Sequence, residues 1–198
     1  MEINPLIQKL QNKRIILGSA SPRRKQLLEE LGLTFEILAK NVDESYPDHL
    51  SPTEVTEHIT LNKAKAFADI LKEENTIVIT GDTIVAQDHY ILGKPKNKKK
   101  AIEMLQNLSG KQHQVISAVA IARKNFTKVS HDTTQVFFKK LTPSEIEFYI
   151  DTFQPYDKAG AYGIQEWIGK IGIQKIEGSF YTVMGLPIHL LYKELKNL

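Results

Sequence analysis

The chain has 198 residues, 41% of them hydrophobic and 25% charged, with a formal net charge of +3. That length buries a substantial core without staples, as one large domain or two small lobes, and so mild a basic balance falls well short of a nucleic-acid-binding tail or a polybasic membrane anchor. There is no cysteine, which excludes disulfides, zinc–thiolate centres and thiol nucleophiles.

The opening MEINPLIQKLQNKR has no continuous apolar core and does not read as a secretory signal. No apolar run approaches the roughly 18–20 residues of a membrane span, so a soluble cytoplasmic protein is expected. RIILGSA reads as a short buried strand leading into a small-residue turn. A helix is predicted from about Pro22 to Leu31, with Ser21 as N-cap, Pro22 as first helical residue and Gly32 as its stop. TFEIL alternates like a strand, and AKNVDESYPDHL is polar and loop-like. Ser51-Pro52-Thr53-Glu54 is a capping box, predicting a helix to about Lys72. NTIVITGDTIVAQ reads as an apolar strand interrupted at Gly81-Asp82, and DHYILGKPKN as a turn-rich excursion. KKKAIEMLQNLSG predicts an amphipathic helix, and HQVISAVAIAR and TTQVFFKKL predict two strands. Thr142 to Glu145 forms a second capping box, opening a helix to about Thr152. The glycine-punctuated stretch from Asp157 to Ile188 suggests short strands, and a last helix is predicted from about Pro187 to Leu195. Strands and helices that do not strictly alternate indicate an α/β fold on a mixed sheet.

Several residues are candidates for chemistry. Arg23, Arg24 and Lys25 fill the first turn of the first predicted helix, while Glu29 and Glu30 lie near its end. A helix macrodipole favours the opposite order, by roughly 0.3–1 kcal/mol per charge. The free N–H groups of that helix end make an anion site, and guanidinium forks suit phosphate oxygens; a solvated basic face is the alternative. Lys63 falls in the middle of the apolar half of its helical wheel, beside Val55, Ile59, Ala64 and Phe67. An ammonium there either meets an anion or snorkels to water. Asp82, at the end of an apolar run, is either a site carboxylate or plain turn chemistry. Asp43 and Glu44 are paired carboxylates that suit Mg²⁺, or a solvated acidic loop. Lys94 is held extended by Pro95, and the lysines after it read as a solvated face. Gln165, after two glycines, either reads a base edge or lies on the surface. The six histidines show no metal-ligand spacing, and no Walker or dinucleotide-binding fingerprint occurs.

Taken together, SASPRR, VDES, LNKAKAF, GDTIV, LGKP, LSGKQHQVISAVA, DKAGAYGIQ and EGSFYTVMGLP resemble the Maf family of nucleoside triphosphate pyrophosphatases, over nearly the whole chain. The resemblance implies a single Maf-like domain over residues 1–198. Its expected form is a two-lobed mixed sheet flanked by helices, in the ITPase-like (Maf/Ham1) fold, with the active site in a central cleft. It implies hydrolysis between the α and β phosphates, a divalent cation (Mg²⁺ or Mn²⁺), a homodimer, and neither nucleic-acid nor membrane partners. On the matching positions, Asp82 is the catalytic carboxylate, and Glu44 with Asp82 holds the metal. Ser21, Arg23, Arg24, Lys63 and Lys94 bind the phosphates. Arg23, Thr83 and Gln165 set base specificity and resemble the dTTP/UTP branch. Enzymes resembling the 7-methyl-GTP branch carry tryptophan in place of Arg23 and glutamate in place of Thr83. The family's usual LAS and ADT are LGS and GDT here, and glycine at 18 and 81 is expected to loosen the backbone locally. Two rival readings are a pyrophosphatase with purine or modified-nucleotide preference and a non-enzymatic binder of nucleic acid or a division protein.

Overall fold

The computed structural model describes residues 4–88 and 90–198. In chain order its elements are α1 (Pro5–Leu10), β1 (Arg14–Leu17), α2 (Pro22–Glu30), β2 (Glu36–Ile37), α3 (Pro52–Lys65), β3 (Thr76–Gln87), β4 (Tyr90–Leu92), α4 (Lys98–Leu108), β5 (Gln112–Arg123), β6 (Phe126–Phe138), α5 (Pro143–Phe153), α6 (Trp167–Gly172), β7 (Ile173–Glu177), α7 (Phe180–Met184) and α8 (Ile188–Lys196). The seven strands form one sheet in the order β2-β1-β3-β5-β6-β7, with β4 also paired to β3. β1 is parallel to β2 and to β3, whereas β4 is antiparallel to β3 and β7 to β6. The sheet is therefore mixed, as expected, and the helices complete an α/β fold.

The chain divides into two compact units, and β3, β5 and β6 each contribute residues to both. The first unit takes the chain through Asp82, then Ser117–Asp132 and Gly185–Leu198. Its core joins Ile16, Val78, Ala120 and Ala122 of the strands to Ala64 and Phe67. The second unit takes Thr83–Ile116 and Thr133–Met184. There Val85, Val115 and Val136 form a buried cluster, and the rings of His113, Phe138 and Tyr162 meet pairwise at 5.0–5.4 Å between centroids.

Both capping boxes form. Ser51 and Glu54 exchange side-chain and backbone hydrogen bonds at the start of α3, as do Thr142 and Glu145 at the start of α5. Four expectations are corrected. β3 runs unbroken through Gly81 and Asp82, because Gly81 is a site of close approach and not a turn. A Cβ there would lie 2.9 Å from the Ala118 carbonyl oxygen and 3.3 Å from Leu186 Cδ1. α3 stops at Lys65 and a separate 3-10 turn covers Ile70–Lys72, since tight turns after Ala64 drop Phe67 into the core. Tyr90–Leu92 pairs with β3 as a short strand instead of a loose excursion; His89, within that stretch, lies outside the described residues. The glycine-rich segment after Asp157 also holds two short helices, α6 and α7, beside the strand β7.

Candidate active site

In the first unit, β1 ends at Leu17 and the Gly18 N–H still pairs with the Ile79 carbonyl at 2.8 Å. Three residues later Ser21 caps α2, its Oγ accepting the Arg24 N–H at 3.5 Å. The first turn of α2 contains no acidic residue and the last turn no basic one, so the reversed charge order read from the sequence persists in the folded helix. Arg24 curls back over this turn. Its Nη1 donates to Ser19 Oγ at 3.2 Å and its Nε to the Gly185 carbonyl at 2.9 Å. Burial lowers the Arg24 pKa from its ordinary value, and the nearby Asp82 charge opposes that shift. An arginine in a protein stays cationic nonetheless. Ser19, which sequence reading left without a role, thus helps to orient Arg24 together with the Gly185 carbonyl.

Lys63 settles its own ambiguity. It lies in the last turn of α3, where a cation suits the helix dipole. Its Nζ is 2.7 Å from Asp82 Oδ1 and 2.7 Å from Glu44 Oε1. The Lys63 and Asp82 side chains are only 17% and 15% exposed, against 55% for Glu44. The ammonium thus meets two anions instead of snorkelling, and it joins a strand carboxylate to a loop carboxylate. Asp43 does not share this duty. It accepts from the Ser45 N–H at 2.9 Å and the Ser45 hydroxyl at 2.7 Å, bonds that hold its carboxyl below the usual range and shape the loop. Glu44 and Asp82 therefore meet on the Lys63 ammonium, while Asp43 is bonded within its own loop.

Five of the expected residues, Ser21, Arg24, Glu44, Lys63 and Asp82, therefore belong to the first unit, contributed by the start of α2, the loop after β2, the end of α3 and the middle of β3, with Arg23 beside Arg24 in the same helical turn. Thr83, Lys94 and Gln165 belong to the second unit. Thr83 is half-buried on β3. Lys94 is exposed between Gly93, whose carbonyl accepts the Gly160 N–H at 3.2 Å, and the buried Pro95. The later lysines sit on exposed ion pairs, Lys98 with Asp151 and Lys100 with Glu103, as a solvated face should. Gln165 is half-buried, and its Oε1 is a buried acceptor without a hydrogen-bond partner. Sequence reading missed a polar group around it, formed by Tyr149, Lys158 and Glu166. Lys158 lies in the quoted stretch DKAGAYGIQ and Glu166 directly follows it, but no periodic or motif signal links either to Tyr149.

The chemistry available follows from these groups. Backbone N–H groups and two guanidiniums at one helix end suit a phosphate chain. The two carboxylates held by the Lys63 ammonium are donors of the kind that a hard divalent cation of the Mg²⁺ type takes from a protein, one or two at a time, beside substrate phosphate oxygens. Among the described residues no group of three or more His, Cys, Asp or Glu side chains gathers as a dedicated metal cage.

A family model described as Maf-like protein matches residues 14–198. A dTTP/UTP pyrophosphatase of Christiangramia forsetii is 48% identical over 189 residues, covering 96% of this chain and 96% of that one. Proteins of the same name from Porphyromonas gingivalis and Bacteroides thetaiotaomicron are each 46% identical over 194 residues, at 97% and 98% of this chain and 98% and 100% of theirs. Among solved structures, the Staphylococcus aureus Ham1 protein superposes with a TM-score of 0.52 at 17% identity, over 93% of this chain and 99% of that chain. At that identity the likeness speaks for the fold.

Proposed function

The chain belongs to the Maf family, and from that premise we propose that it hydrolyses dTTP and UTP to the nucleoside monophosphate and pyrophosphate, clearing these or related pyrimidine nucleotides from the pool. The observation that carries the reading is the Lys63 ammonium, which holds the Asp82 and Glu44 carboxylates 2.7 Å away on either side.

Arg23, Arg24 and the free N–H groups of α2 bind the phosphate chain, with Ser21 at the helix cap and Lys63 and Lys94 as further cations. Opposing cations at a helix start are relieved when a polyanion is bound there. The Asp82 carboxylate orients a water molecule and takes its proton as the oxygen attacks the α phosphorus. The bond from that phosphorus to the α–β bridging oxygen breaks, and pyrophosphate leaves with the electron pair. Glu44 and Asp82 would hold Mg²⁺ or Mn²⁺, which when bound supplies neutralisation of the phosphate charge. Positioning and fixed charge carry most of the rate gain. Arg23, Thr83 and Gln165 select the base. A side-chain amide offers one acceptor and two donors, which suits the carbonyl and N–H of a uracil or thymine edge, and the unpartnered Gln165 Oε1 supports that role. No helix among the described residues is long and apolar enough to cross a membrane. A homodimer working in the cytoplasm without a nucleic-acid partner completes the reading.

Incubation of the purified protein with Mg²⁺ and each common nucleoside triphosphate, with pyrophosphate and orthophosphate separated, tests this directly. Pyrophosphate from dTTP and UTP and little from purines is expected. Pyrophosphate mainly from a purine overturns the specificity, and no turnover with either Mg²⁺ or Mn²⁺ overturns the reaction.

A further inference from the structure

The second unit contains a buried polar network that the hydrolytic step leaves unused. Lys158 is 8% exposed. Its Nζ lies 2.7 Å from Asp157 Oδ1 and 3.1 Å from Glu166 Oε1. The Tyr149 hydroxyl donates to Glu166 Oε2 and accepts the Gly163 N–H, the latter at 3.1 Å. Burial and the Glu166 carboxylate both raise the Tyr149 pKa, so the hydroxyl remains a donor. The Glu166 N–H donates to the Gly163 carbonyl at 3.1 Å and closes a turn that contains Ile164 and Gln165.

The turn is also fixed by shape. A Cβ on Gly169 would lie 1.9 Å from the Ile164 carbonyl oxygen, so α6 seats directly on the turn backbone. A Cβ on Gly163 would lie 2.9 Å from Glu166 Cδ and 3.2 Å from Lys158 Cε. Tyr149 and Lys158 thus hold Gly163 and Glu166, the two ends of the turn that contains Gln165, whose own Oε1 is buried without a partner. Leaving a polar atom unpaired beside so complete a network is costly unless another molecule satisfies it.

We propose that Tyr149, Lys158 and Glu166 are positioning residues for base selection, holding the Gly163–Glu166 turn so that the Gln165 amide stands at one fixed place for a pyrimidine edge. The proposal rests on the reading of Gln165 as a base contact. An amide held at one height reads one ring size, whereas a loosened turn accepts both pyrimidine and purine.

The test compares wild type, Tyr149→Phe, Gln165→Ala and the double variant on dTTP, UTP and dGTP. Tyr149→Phe keeps the ring and removes only the hydroxyl. It is expected to raise KM for dTTP and UTP about tenfold with kcat nearly unchanged, and to narrow the dTTP-to-dGTP ratio of kcat/KM by about the same factor. Added to Gln165→Ala it should change the ratio no further, since the two act through one contact. Glu166→Gln, of the same size, carries the same expectation if Tyr149→Phe fails to fold. A ratio that survives both substitutions, or effects that multiply with Gln165→Ala, defeats the positioning role alone. A wild type that turns over neither dTTP nor UTP defeats the functional reading and the positioning role with it.

Discussion

Asp82 shows how one residue's meaning changes with its backbone. Gly-Asp after an apolar run is equally good turn chemistry and strand chemistry, and the sequence cannot separate them because the deciding contact is distant. The Ala118 carbonyl leaves no room for a side chain at Gly81, and β3 continues through it and sets Asp82 against Lys63. Asp82→Asn keeps an oxygen for the Lys63 ammonium and loses the proton acceptor. Steady-state kinetics on dTTP should show kcat reduced about 10²–10⁴-fold, with the melting temperature close to wild type; full turnover in a folded variant removes Asp82 from the catalytic role. Glycine at 18 and 81 also reads differently in three dimensions. Neighbours have grown into both sites and leave no slack: a Cβ at Gly18 would lie 2.8 Å from Phe67 Cε2 and from Thr80 Cγ2. Gly81→Ala should therefore destabilise the fold by about 1–3 kcal/mol through overpacking, measured by urea denaturation, even though alanine is usual there in the family it resembles. An unchanged or raised midpoint would mean that the Ala118 strand yields freely.

At the scale of elements, α2 carries charges that its own dipole opposes, and the phosphate reading gives that opposition a purpose. Pyrophosphate, the product, should raise the melting temperature by binding the folded state. Arg23→Gln should remove most of that rise, because one of the two guanidiniums of the first turn is gone, and scanning fluorimetry with and without pyrophosphate checks it. An equal rise in both proteins places the anion elsewhere. Local signals made other elements legible. The two capping boxes start α3 and α5 where Ser51 and Thr142 stand, and the unbroken apolar run of β5 left no alternative. The misreadings came where tertiary contacts overrule local pattern. Phe67 is drawn into the core and ends α3 before the expected Lys72. The segment from Trp167 to Glu177 becomes a helix and a strand because α6 fits its Gly169 against Ile164. Lys63 was legible as a buried cation on a helical wheel, but Glu44 as its second partner was not, since that contact joins a loop to a helix about twenty residues on and leaves no local pattern. The Tyr149–Glu166–Lys158 network was invisible for the same reason.

For the molecule as a whole, the response to acid separates into two windows. His113 is 2% exposed, its Nε2 bonded to the Tyr162 hydroxyl at 2.7 Å and its Nδ1 without a partner. Burial pushes its pKa down to about 4, against an unfolded value near 6.5. The native state therefore holds His113 neutral while the unfolded chain takes up a proton, and stability falls as pH drops from about 6.5 to about 4, by about 3 kcal/mol. Below that range both states are protonated and the loss from this residue levels off. The surface carboxylates act lower. Hydrogen bonds from Arg14 to Glu36 and from Lys40 to Asp69 hold those carboxyls below their ordinary values. The stability they add is present at neutral pH and is lost only as pH falls through and beneath the ordinary carboxylate range. His113→Phe tests the separation. The variant leaves the Tyr162 hydroxyl unpaired and should be less stable at neutral pH, yet its unfolding free energy should be nearly flat between about pH 6.5 and 4.5 where wild type declines. A wild-type slope retained by His113→Phe would assign the upper window to other groups, and the buried imidazole would then have only a packing role against Phe138 and Tyr162.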